Sequence, residues 1–382
     1  MQGQMTRREM LAMAGGAVAG AAMTAAGSPS RATAAGSPSR ATAAEAEPSI
    51  PKNALPRWRG ANLLEKFAAG DGRRPGQPFV ERDFEWLAKW GMDFARLPMD
   101  YRFWCEMPDR RKFKESVLKN IDQAVAWGKQ YKVHVDINFH RAPGYCINPP
   151  EDWLSLWTDA EAQEICELHW RTFARRYKGI PSTQLSFNLW NEPPRADGKR
   201  MTREGHEKIV RRMVAAIREE DPDRLVIADG LDVANSPIPE LADLKIAQSM
   251  HTYQPFHLTH YKASWARGSD TWPEPTWPMV EGKTTWNREY LRERYIPWLD
   301  LMRKGVGVHC GETGVYSRTP HKVVLAFQHD LFAMLKDYGV GWGMWNLRGS
   351  FGWVDSGRPD VKYEDLDGHK LDREMLEMLL TV

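Results

Sequence analysis

From Arg57 onward the chain repeats one theme eight times: a short β-rich run, then a helical or looped stretch. The runs are Trp58–Leu63, Asp93–Leu97, Val133–Phe139, Gln184–Trp190, Leu225–Ala228, Ile246–His251, Gly305–Gly311 and Gly339–Asn346. Amphipathic stretches separate most of them: Phe79–Trp90, Leu118–Tyr131, Ala160–Tyr177, Arg203–Glu220, Trp286–Lys304 and His321–Tyr338. Parallel strands need a crossover between them, so this alternation dictates an α/β fold. Eight such units within one stretch of barrel length predict a single (β/α)8 TIM barrel with long βα loops at its C-terminal face. A doubly wound sheet is the alternative, but no Gly-rich phosphate fingerprint follows the first run.

A barrel of this kind carries its chemistry where the strands end. The expected ends are Arg96-Leu97-Pro98 on the second strand and Asn138-Phe139-His140-Arg141 on the third. The fourth ends in Asn188-Leu189-Trp190-Asn191-Glu192-Pro193 and the sixth in His251-Thr252-Tyr253. The seventh ends in His309-Cys310-Gly311-Glu312 and the eighth in Met344-Trp345-Asn346. The two carboxylates in this set, Glu192 and Glu312, stand on opposite sides of the expected mouth. Both lie inside otherwise apolar runs, where an unpaired charge is costly. Two carboxylates across a cleft match glycosidic bond cleavage, in which one donates a proton and the other attacks or activates water.

At these residues the chain resembles glycoside hydrolase family 5, the cellulase family of retaining (β/α)8 glycosidases. Asn191-Glu192-Pro193 is similar to that family's acid/base motif, and Glu312 after Gly311 to its nucleophile. Arg96, His140, His251, Tyr253 and Trp345 fall where the family places its other active-site residues. The resemblance, covering residues 57 to 380, implies a retaining β-glucanase of endoglucanase type. An exo-acting β-glucosidase or β-1,3-glucanase and a β-mannanase remain alternatives. It implies Glu192 as acid and then base, Asn191 bonding the sugar 2-hydroxyl, and Glu312 held ionised by Arg96 and Tyr253. His251 orients Glu192 or a sugar hydroxyl, His140 contacts the sugar, and Trp345 is its apolar floor. Arg96 as a structural ion-pair partner and Trp345 as a core indole are the competing readings.

Composition narrows the remaining classes. Fifty-two basic residues against 50 acidic give a net charge of +2, without the basic excess of a nucleic-acid binder. The chain lacks the long apolar runs of a multi-span membrane protein. Trp, at 17 residues, is in excess, and flat indole faces serve as ligand platforms. Trp265, Trp272, Trp277 and Trp286 crowd the connection after the sixth strand and are expected to wall the cleft; packing the loops onto the barrel is the other reading. His251, His257 and His260 cluster in sequence, yet no H-E-x-x-H pattern appears, and no metal or other cofactor is expected. The four cysteines read as free thiols. The expected partner is a β-linked oligo- or polysaccharide, and the expected state a monomer. A non-catalytic carbohydrate-binding barrel and a metal-dependent hydrolase stand as alternatives from other classes.

The first fifty residues fall outside the barrel pattern. Arg7-Arg8 precedes a mild Ala/Gly/Met segment, the arrangement of a Tat-type export signal, which implies a periplasmic or secreted protein. A nine-residue repeat, AGSPSRATA twice, ends at Ala43 and reads as a flexible linker. Residues 51–382 are then the catalytic domain.

Overall fold

A computed structural model describes residues 49–69 and 76–382. The expected export signal and linker, residues 1–48, lie outside the described residues. Pro51–Val382 forms a compact unit. Its centre is a closed barrel of eight parallel strands. They are β1 (Arg59–Asn62), β2 (Phe94–Asp100), β3 (His134–Arg141), β4 (Leu185–Asn188), β5 (Leu225–Asp229), β6 (Ala247–Thr252), β7 (Val308–Thr313) and β8 (Gly341–Met344). Each strand pairs with its sequence neighbours, and the circle closes where β1 meets β8, with Arg59 opposite Trp342. The Arg59 guanidinium also reaches the Val382 carbonyl at 3.3 Å.

All eight expected runs overlap a strand, and β2, β3, β5, β6 and β7 run past their expected ends. The helices longer than four residues among the described residues are α1 (Glu81–Lys89), α2 (Glu115–Tyr131), α3 (Ala160–Arg176), α4 (Arg203–Glu220), α5 (Arg288–Arg294), α6 (Ile296–Arg303), α7 (His321–Asp337) and α8 (Arg373–Thr381). Their inward faces follow helical spacing. In α4 Ile209, Val210, Met213, Val214 and Ile217 are buried. Thr202 caps that helix by accepting from the Gly205 N–H at 2.9 Å. The stretch expected as one helix over Trp286–Lys304 is two, because Pro297 at the start of α6 cannot extend the helix before it. After β5 the sequence carries no amphipathic helix, and the chain makes a short turn at Leu231–Ala234 and a 3₁₀ turn at Pro239–Leu244.

The long βα connections have structure of their own. Antiparallel hairpins occupy those after β2 (Cys105–Glu106 with Asp109–Phe113), β6 (Met279–Glu281 with Thr284–Trp286) and β8 (Glu364–Leu366 with His369–Leu371). All four cysteines are free thiols. Among the described residues no helix is long and apolar enough to cross a membrane.

The amino end of the barrel is closed by rings. His134 lies flat against Trp58, centroids 3.7 Å apart, and Phe94 tilts against His309 at 4.4 Å. Gly341 permits this packing, since a Cβ there would stand 2.2 Å from the Trp58 carbonyl oxygen. The carboxyl end is polar, and there the expected site residues gather.

Candidate active site

Glu192 leaves β4 four residues past its last strand position, with φ +48°, in the left-handed region. Hydrogen bonds on both sides hold that turn. The Glu192 N–H donates to Asp229 Oδ2 at 3.0 Å, and the Tyr145 hydroxyl donates to the Glu192 carbonyl. Its carboxyl Oε1 lies 2.8 Å from His251 Nδ1.

Glu312 sits inside β7, where the ladder slips between Cys310 and Glu312 against β6 and between Cys310 and Thr313 against β8. Such a bulge re-aims a side chain. Glu312 Oε1 accepts from Arg96 Nη1 at 2.6 Å, and Oε2 accepts from the Tyr253 hydroxyl at 3.0 Å. Gly311 is required by close approach, because a Cβ would lie 2.4 Å from Ser249 Oγ and 3.3 Å from His251 Nε2.

Arg96 departs from its expected place. Strand β2 runs on through Pro98 to Asp100, so Arg96 is the third of seven residues and lies fully buried inside the barrel. From there its fork still reaches upward. Besides Glu312 it donates to Asn62 Oδ1 at 2.9 Å, Asn188 Oδ1 at 3.0 Å and Asn191 Oδ1 at 2.8 Å. Asp229 at 3.7 Å and Asp136 at 4.0 Å add further negative charge. Burial works against its charge, yet Glu312, Asp229 and Asp136 together hold its pKa above the usual value.

The two carboxylates of the mouth face different surroundings. Burial raises the Glu192 carboxyl; hydrogen bonding to His251 opposes that, repulsion from Glu312 and Asp229 adds to it, and the net direction is up. For His251, burial pulls down, but Glu312, Asp229 and Glu192 outweigh it and the imidazole rises. Tyr253 is pushed well up by burial and by both glutamates, so its hydroxyl keeps its proton and donates. One ligand atom each of Glu192, His251 and Glu312 lies within 4.8 Å of the others, the one group among the described residues spaced to admit a metal ion. The Arg96 guanidinium at 2.6 Å already supplies positive charge there, which disfavours a cation. His257 and His260 do not join this group: His257 pairs with Glu281 and His260 stacks on Phe256.

His140 and Trp345 form the other flank, ring centroids 5.5 Å apart. Phe67, from the loop after β1, stands edge-on to His140 at 4.4 Å and to Trp345 at 5.1 Å. Burial first, then Arg96 and His251, hold His140 well below the usual histidine range. Its Nε2 lies 3.1 Å from the Asn148 amide nitrogen, while Nδ1 has no partner. The buried Asn191 Nδ2 also lacks one. Both atoms retain hydrogen-bonding capacity for a ligand.

The indoles of the β6 connection divide. Trp277 donates to Asp330 at 2.9 Å and packs on Phe327, so it straps the loop to α7. Trp286 is buried and bonds Glu281, and Trp272 leans on His257. Trp265 alone of the four joins the rings around Tyr253, through Phe351 and His260. Sequence reasoning overlooked Asn62, Phe67, Tyr145 and Asp229. Asn62 and Asp229 are the last residues of β1 and β5, so a reading of all eight strand ends finds them.

Comparison with known proteins agrees with this geometry. The family described as Cellulase (glycosyl hydrolase family 5) matches residues 76–350. Endoglucanase C of Acetivibrio thermocellus is 28% identical over 295 residues, which are 70% of this chain and 84% of that protein. A solved structure described as a glycoside hydrolase is 40% identical, with a TM-score of 0.80, covering 85% of this chain and 99% of the other. Endoglucanase Cel5A from Thermotoga maritima, 20% identical with a TM-score of 0.69 over 84% of this chain and 96% of its own, shares the fold.

Proposed function

Because this chain belongs to the cellulase family, glycosyl hydrolase family 5, and is thus a glycoside hydrolase of O-glycosyl bonds, we propose that it cleaves β-glucans with retention at the anomeric carbon. The observation that carries this reading is the pairing of Glu192 and Glu312, an oxygen of each within 4.8 Å. Retaining enzymes need carboxyl groups about 5–5.5 Å apart, whereas inverting ones leave room for a water at about 6.5–9.5 Å.

The surroundings divide the roles. Glu312, held by the Arg96 fork and the Tyr253 hydroxyl, is the nucleophile that attacks the anomeric carbon. As the glycosidic C–O bond breaks, Glu192, whose pKa burial raises, protonates the leaving oxygen. In the second step the Glu192 carboxylate takes a proton from water. That water attacks the same carbon and Glu312 departs. Asn191 Nδ2 faces the 2-hydroxyl, a contact that strengthens in the transition state. His251 orients Glu192, and His140 with Trp345 supports the sugar on the other side.

The substrate class is a β-1,4-linked glucan attacked internally, a reading supported by the endoglucanase named among the relatives. Incubation with cellulose-, mannan- and β-1,3-glucan-derived oligosaccharides, with product sizes and anomeric configuration followed by NMR, tests it. An α-anomeric first product would overturn retention, and release of single sugars from one end would overturn internal cleavage. The same assay with chelator tests the metal-free mechanism. Export through the Arg7-Arg8 leader belongs to the proposal, and Lys at both positions should keep the protein in the cytoplasm.

A further inference from the structure

Asp229 closes β5 and is 1% exposed. Oδ1 accepts from Asn188 Nδ2 at 2.9 Å. Oδ2 accepts the Glu192 N–H at 3.0 Å and lies 3.4 Å from His251 Nε2. A buried carboxylate is expensive unless donors and cations surround it. The nearest guanidinium nitrogen, Arg96 Nη2, is 3.7 Å away and already donates to Asn191. Asp229 is therefore hydrogen-bonded to the Glu192 backbone and only loosely paired with Arg96, its other close charged neighbour being His251.

Both targets bear on one residue. A non-glycine residue in the left-handed region needs its surroundings to hold it there. Asp229 holds the Glu192 N–H and Tyr145 holds the Glu192 carbonyl, so the peptide groups on either side of its Cα are fixed. That fixes the direction in which Cβ leaves the backbone. The side chain ends at His251 Nδ1; the far nitrogen of that ring lies 3.4 Å from Asp229 Oδ2, an electrostatic approach without a hydrogen bond. Asp229 thus bonds Glu192 at its backbone and acts on its carboxyl only through the charge it places beside the imidazole.

We propose that Asp229 is a positioning residue that aims the Glu192 carboxyl and retains the proton held between Glu192 and His251, a role that rests on Glu192 being the acid of the reaction. His251 is faced by Glu192 from the loop after β4, by Glu312 of β7 and by Asp229 of β5, and Tyr253, just past its own strand, bonds Glu312. Arg96 of β2, His140 of β3 and His309 of β7 also act on this electrostatic neighbourhood. Removing the Asp229 charge takes away one of the anions that favour a proton on either partner. The proton then leaves the pair at lower pH, whichever residue carries it.

The test is the pH profile of kcat/KM for Asp229→Asn on cello-oligosaccharides and on a dinitrophenyl cellobioside, whose leaving group needs no proton. The alkaline limb should move down by about one pH unit. On cello-oligosaccharides kcat/KM near neutral pH should fall roughly ten- to a hundredfold, mainly in kcat, and on the aryl substrate by far less. Tyr145→Phe, which loosens the turn without changing charge, should lower kcat and leave the limb in place. A folded Asp229→Asn enzyme with an unmoved limb overturns the proposal. Should that variant fail to fold, Asp229→Ser carries the same readout. Glu192→Ala is run beside it. Equal loss on both substrates there refutes the acid assignment itself. Selective loss there with an unmoved limb in the Asp229 variant refutes this inference alone.

Discussion

The amino end of the barrel and the catalytic pair at its mouth bury the same side chain and treat it in opposite ways. At the amino end His134 and His309 lie among Trp58 and Phe94, and burial drives both imidazoles down to about 3. At the carboxyl end His251 is as deeply buried, yet its pKa rises. The difference is company. His134 meets the Thr183 carbonyl at 3.1 Å and Ser186 Oγ at 2.8 Å, dipoles that do not offset lost hydration. His251 meets three carboxylates within 3.7 Å. One end is built for packing with neutral rings, the other for keeping charge and protons in place. In a single fold, the desolvation common to both ends is overturned only where anions converge.

If that division holds, the largest effects come from the mouth and appear in rate. Glu312→Ala should lower kcat by roughly 10⁵-fold, and added azide should restore turnover with an inverted product. Absence of rescue in a folded variant would break the nucleophile assignment. Next, Glu192→Ala should cost about 10²–10⁴-fold on unactivated oligosaccharides while sparing dinitrophenyl glycosides, measured as kcat/KM for each.

Effects at the amino end appear in stability. The folded pKa values of His134 and His309 lie below the unfolded value of about 6.5. Between those limits the unfolded chain binds more protons, so their contribution is complete above about pH 6.5 and declines as pH falls toward 3. By pH 5 each imidazole should remove up to about 2 kcal/mol. Urea melts at pH 7 and pH 5 measure this, and His134→Gln should shrink the difference between them. An unchanged difference would erase the contrast between the two ends. The smallest effect marks where the mouth stops. Trp265→Ala should raise KM roughly tenfold, about 1.4 kcal/mol, with the melting temperature nearly unchanged. A depressed melting temperature with unchanged KM would assign Trp265 to loop packing, as the structure already does for Trp277.

The strands and both glutamates were legible because each leaves a local mark. Alternating periodicity exposes the units, and Asn191-Glu192-Pro193 and Gly311-Glu312 are short contiguous runs. What stayed hidden is set by distances across the barrel. Arg96 reads as a strand-end residue because Pro98 looks like a stop, yet β2 continues past it. Asp229 has no motif around it, and its significance arises from residues 37 and 22 positions away on neighbouring elements. The Trp-rich connection after β6 was legible as aromatic but not as divided, since composition does not say which indole finds Asp330 and which finds Phe351.

The closure of β1 on β8 makes this catalytic unit a ring in which the chain's starting point is one cut among several. The Val382 carbonyl lies within hydrogen-bonding reach of Arg59, so a short linker should join the two ends of the body. New termini then belong in tight turns such as Gly282, at the tip of the hairpin after β6, where φ is +60° and a side chain would meet nothing. A circular permutant opened there keeps each hydrogen bond and close charge contact among Glu192, Asp229, His251, Glu312 and Arg96. Those contacts join strands and the loop after β4 around the ring and are indifferent to the order in which the elements are translated.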